Sequence, residues 1–108
     1  MKDVKISYRK AWGKVGTLYN TCVRMDKKVF QSFFKYICDI YTEEYNKPNG
    51  QRDINILSYI RGDIEEYKGE DTMYLRQTTT RALYQFFQLN NLNLKNKKLI
   101  LNTRIKIV

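Results

Sequence analysis

Histidine is absent from the 108 residues, cysteine occurs twice and proline once. Without an imidazole the chain has no Ser-His-Asp arrangement and no side chain that ordinarily titrates near neutrality. Cys22 and Cys38 cannot supply the four Cys or His ligands of a structural zinc site, so no metal or other cofactor is expected. In a reducing compartment they are expected as two free, buried thiols rather than as a disulfide. No apolar run approaches the ~20 residues that span a bilayer. The opening MKDVKISYRK lacks the apolar stretch of a signal peptide, and the expected location is cytoplasmic. Acids are missing as well, but only in places: none follows Asp71.

What remains is an ordinary globular composition, 43% hydrophobic, in a length that suits one domain over 1–108. Phe, Tyr, Met, Ile, Asn and Lys, whose codons are AT-rich, fill 49 of the 108 positions. That bias suggests a phage, plasmid or other mobile element of an AT-rich genome. The net charge of +9 is sorted along the chain. Residues 1–36 carry nine Lys/Arg against Asp3 and Asp26, residues 37–71 carry four against nine acids, and residues 72–108 carry seven against none. Solvated surfaces usually intersperse the two signs, because like charges within a Debye length repel. Sorting of this kind points either to phosphate binding or to basic faces docking on acidic ones, head to tail.

Hydrophobic periodicity predicts a mainly α domain resembling a four-helix bundle. Over 7–25, Tyr8, Ala11, Trp12, Val15, Leu18, Tyr19, Cys22 and Val23 share one helical arc. The opposite arc holds Lys10, Lys14, Thr17, Thr21, Arg24 and Lys28, although Gly13 and Gly16 each cost a helix about 1 kcal/mol. A second helix, 26–45, starts at the N-cap Asp26 and carries a wide apolar arc that includes Phe30, Phe33 and Ile37. Asn46-Lys47-Pro48-Asn49-Gly50 is a loop. A third helix, 53–68, is capped by Asp53 and stopped by Gly69. A fourth, 72–90, places Leu75, Thr79, Ala82, Leu83, Phe86 and Leu89 inward. In the tail, 92–108, Leu92, Leu94, Leu99, Leu101, Ile105 and Ile107 alternate with polar residues, as in a short C-terminal β-hairpin; an extended basic arm fits equally well.

The leading candidate for nucleic-acid contact is the outer face of the fourth helix, with Tyr74, Gln77, Arg81, Tyr84, Gln85 and Gln88. Its amides and guanidinium can hydrogen-bond bases or phosphates, its phenols can stack, and no carboxylate repels the ligand. The tail cations Lys95, Lys97, Lys98, Arg104 and Lys106 form a second patch, and Lys10, Lys14, Arg24 and Lys28 of the first helix a third. The third and fourth helices loosely resemble a helix-turn-helix, but Glu65 stands where that motif needs a small residue. The acids Asp39, Glu43, Glu44, Asp63, Glu65 and Glu66 read as the outward sides of two helices. They form a protein-interaction surface rather than converging carboxylates of a metal-dependent nuclease.

The expectation is therefore a non-enzymatic accessory protein that binds DNA or RNA, mainly through electrostatics. The alternatives are an inhibitor that occupies a host nucleic-acid-handling complex, and a homo-oligomeric subunit stacked along a nucleoprotein filament. No membrane partner is expected.

Overall fold

Within 7–25, expected as a helix, the described residues belong instead to two strands, Lys5–Trp12 (β1) and Leu18–Met25 (β2), paired antiparallel with a register shift between Tyr8 and Ala11. The apolar spacing of this segment satisfies both periods, and the two glycines between the strands weigh against the helical one. Further elements follow: Lys27–Tyr45 (α1), Ile54–Glu66 (α2), Thr72–Tyr74 (β3), Gln77–Leu89 (α3) and Arg104–Ile107 (β4). The structure is a computed structural model and describes residues 5–12, 18–67, 69–92 and 103–108, with side chains from Cys22 onward. Among these residues the protein is mainly helical, but with three helices rather than four, and it is no four-helix bundle.

The expected starts and stops of the helices are largely met. Asp26 caps α1 by accepting from the Lys28 N–H at 3.1 Å, and Asp53 caps α2 by accepting from Asn55 and Ile56. Gly50 and Gly69 take positive φ in the two turns that flank α2, which only glycine adopts cheaply. The region expected as the start of the fourth helix is β3, so α2 and α3 are separated by a strand and form no helix-turn-helix. None of the described helices is long and apolar enough to cross a membrane.

The four strands form one sheet in the order β1-β2-β4-β3. Of the expected tail, Arg104–Ile107 is a strand, while the expected hairpin turn around Asn96 lies outside the described residues. This strand lies between β2, to which it is parallel, and β3, to which it is antiparallel. Strand alternation sends Val23 and Met25 of β2, Met73 of β3 and Ile105 of β4 into the core. There they meet Phe30, Phe33 and Ile37 of α1, Ile60 of α2, and Ala82, Leu83, Phe86 and Phe87 of α3. The rings of Phe33 and Phe86 meet edge to face at 5.4 Å, and Phe30 lies 4.9 Å from Tyr67. Burying each such ring contributes about 1.5–3 kcal/mol.

A buried ionic joint locks α2 to α3. Asp63, fully buried, accepts from Arg76 Nη1 at 2.6 Å, from the Arg76 N–H at 3.4 Å and from the Thr79 hydroxyl. Burial pushes the Asp63 carboxyl above the usual carboxylate range, against the pull of Thr79 and Arg76. The other arm of the guanidinium reaches Glu66 at 3.0 Å. Gly62 makes room for this: a Cβ there would lie 2.6 Å from Arg76 Nη1. Gly62→Ala should gain about 1 kcal/mol of helix propensity. Because the displaced nitrogen is pinned to a buried carboxylate, a net loss of about 1–2 kcal/mol in urea unfolding is expected instead.

Candidate nucleic-acid interface

The alternation that buries Val23, Met25, Met73 and Ile105 turns their neighbours to the other side of the sheet. Arg24 and Tyr74 are exposed, and Cys22, Thr72, Arg104 and Lys106 are half-buried. The register arranges this outer face in two rows across the strands. One row is Arg24 on β2, Lys106 on β4 and Thr72 on β3; the other is Cys22, Arg104 and Tyr74. On the edge strand β1, Lys5 occupies the backbone position opposite Arg24 and extends the first row. Neighbouring strands lie about 4.8 Å apart and the two rows about 6.7 Å apart, so cations and ring share one small patch.

Within the patch the Arg104 guanidinium sits over the Tyr74 ring, 4.4 Å from its centroid, and the ring is 41% exposed. Arg104 Nε is buried and has no hydrogen-bond partner among the described residues. Lys106 Nζ is ion-paired with the Asp71 carboxylate, at the start of β3. The hydrogen bond and charge of Lys106 hold the Asp71 carboxyl below its ordinary value. Water reaches both partners, Lys106 being 41% and Asp71 65% exposed, and such surface pairs stabilise by only about 0–1 kcal/mol, so Lys106 can exchange this carboxylate for another anion. A cavity of about 280 Å³ opens beside Asp71, but its rim mixes Lys27 with Glu70 and Asp71 and does not suit a phosphate.

The residues expected to bind nucleic acid are thus redistributed. Tyr74 leaves the fourth helix for β3 and joins Arg24 of β2 and Arg104 and Lys106 of β4, so the patch draws on three separate stretches of sequence. Gln77, Arg81, Gln85 and Gln88 are exposed, and Tyr84 half exposed, on the side of α3 away from the core; they belong to the helix and not to the strand rows of the sheet patch. The stripe expected on a first helix does not exist: Arg24 is on β2, Lys28 is exposed in the first turn of α1, and Lys10 is on β1. Lys14, Lys95, Lys97 and Lys98 lie outside the described residues.

The expected acidic surface is smaller than the sequence suggested. Asp63 is buried in the α2–α3 joint. Glu44 is buried as well, accepting the Asp53 N–H at 3.1 Å and Lys47 Nζ at 3.0 Å, and these bonds lower its pKa. Its place against the helix dipole is thereby explained: it ties the end of α1 to the cap of α2. Asp39 pairs with Lys35 and Glu66 with Arg76, while Glu43 and Glu65 are exposed. No three His, Cys, Asp or Glu side chains among the described residues cluster so as to hold a metal. Cys22 and Cys38 are free but half-buried rather than buried, and burial raises the Cys38 thiol pKa. The residue that sequence reasoning missed is Arg76. Thr79, a hydroxyl at a predicted inward position, was the signal that a buried polar partner was needed. Comparison with family models, curated proteins and solved structures finds no match for the chain.

Proposed function

We propose that this protein binds nucleic acid on the outer face of its sheet. The observation that carries the reading is the convergence of Arg24, Arg104 and Lys106 with the exposed Tyr74 ring on one face, at adjacent register positions, while the helices occupy the other. Cations so placed can each neutralise a phosphate, and release of counterions supplies the affinity. Lys5, opposite Arg24 in the register, adds to the charge of that edge. The net charge of +9 steers a polyanion toward the molecule before contact.

The test is a titration of labelled DNA and RNA oligonucleotides by fluorescence anisotropy at two salt concentrations. Affinity is expected at low salt, with log K falling by about 0.7 per phosphate contact and decade of salt on single strands, and about 0.9 on duplex. Absence of binding at low salt would rule the reading out.

A further inference from the structure

We infer that the ligand of the sheet face is single-stranded nucleic acid, its phosphates following the row of Arg24 and Lys106 and a base lying against the Tyr74–Arg104 pair. This rests on the nucleic-acid reading above and adds the strandedness of the ligand and a division of labour between the two rows. Four strands at about 4.8 Å span roughly 14 Å between the outer backbones, before side chains are added. The major groove of a duplex is about 12 Å wide, so the sheet cannot enter it face-on to reach base edges. A duplex laid on this face would offer only phosphates, and its base faces would stay stacked and hidden.

A single strand offers both groups at once. The cation row crosses the strands from β2 to β4 and is continued in register by Lys5, which suits a sugar-phosphate backbone running across the sheet. The second row, about 6.7 Å away, carries the Tyr74 ring, with a guanidinium already on it. An aromatic ring and an arginine plane are the groups on which unpaired bases stack, whatever their sequence. Asp71 is bonded to this face, and its exposed pair with Lys106 yields to a phosphate.

The experiment compares a labelled twelve-nucleotide oligothymidine, the matching oligouridine and the oligothymidine annealed to oligoadenosine, each at the same low salt. The parent protein is expected to bind the single strands about tenfold more tightly than the duplex. The oligouridine and oligothymidine arms separate RNA from DNA as the source of the strand. Tyr74→Thr, which removes the ring and keeps a good strand former, is expected to lose about tenfold on the single strands and little on the duplex. Tyr74→Phe is expected to retain the preference, and circular dichroism reports whether both variants fold. Equal binding of single strand and duplex, or a Tyr74→Thr loss shared by both, overturns the inference while leaving the nucleic-acid reading intact. Failure of all three oligonucleotides to bind overturns both.

Discussion

Replacing Arg76 with methionine is expected to cost about 3 kcal/mol of folding stability at neutral pH. Its partner Asp63 is fully buried, and the substitution leaves that carboxylate with the Thr79 hydroxyl and a backbone N–H but no countercharge. The lower end of the usual range applies because Arg76 itself is 41% exposed, so water can reach part of the vacated space. Asp63→Asn should be milder, near 1 kcal/mol, since it removes the buried charge and leaves Arg76 with Glu66.

The deficit of Arg76→Met should also depend on pH. The Asp63 carboxyl already lies above its ordinary value, and loss of the guanidinium raises it further. For an acid raised on folding, stability is complete below the unfolded pKa and is lost as pH climbs through the folded one. The variant should therefore recover part of its deficit between pH 7 and pH 5. Glu44 and Asp71 do not obscure that window. Both carboxyls are held low, so the stability they contribute is lost only as pH falls below the ordinary carboxylate range. Urea unfolding of parent and variant at the two pH values measures the effect, and a deficit that stays constant would refute it.

The second large effect is expected on binding. Arg24→Glu combined with Lys106→Gln removes the two described cations of the phosphate row and should weaken every oligonucleotide on the order of 100-fold, two charge-assisted contacts of ~1.5 kcal/mol each. The salt dependence on single strands should become shallower by about 1.4, two contacts at ~0.7 each. Arg24 is exposed and Lys106 half-buried on the outer face, so the fold should survive, with a modest loss from the Asp71 pair. Arg81→Glu, on the side of α3 away from the core, serves as the contrast and should leave affinity unchanged. The reverse pattern, with Arg81 decisive and the sheet pair neutral, would move the interface to α3.

The helices were legible because each sequence signal acted locally. Asp26 and Asp53 announced their caps, Pro48 and Asn49-Gly50 the loop, and the spacing of Phe30, Phe33 and Ile37 the buried face of α1. The pairing of β1 with β2 was not legible, because Tyr8 to Val23 fits a 3.6-residue arc and only long-range pairing chooses the period of two. Asp63 was misplaced for a related reason. The apolar arc of α2 runs through Ile56, Ile60, Ile64 and Tyr67, and Asp63 lies within it, three residues from Ile60. A charged residue is assigned outward by default, and only Arg76 and Thr79, from beyond β3, make burial affordable. The candidate site was legible as residues but not as a place. Arg24, Tyr74, Arg104 and Lys106 were each singled out, yet on three different surfaces, and the parallel pairing of β2 with β4 brings them together.

That pairing has a kinetic consequence. Cys22 and Arg104 are neighbours in the sheet, yet every helix of the described chain is made between them. A nascent chain can form the β1–β2 pair and three helices, but it has no middle strand until residues 104–107 emerge from the ribosome. Among the described strands, the β3 segment has no other partner until then. Closure of the sheet is thus a late, high-contact-order step, of the kind that slows folding. Cutting the chain at residue 103 would remove the centre of the sheet rather than a dispensable tail.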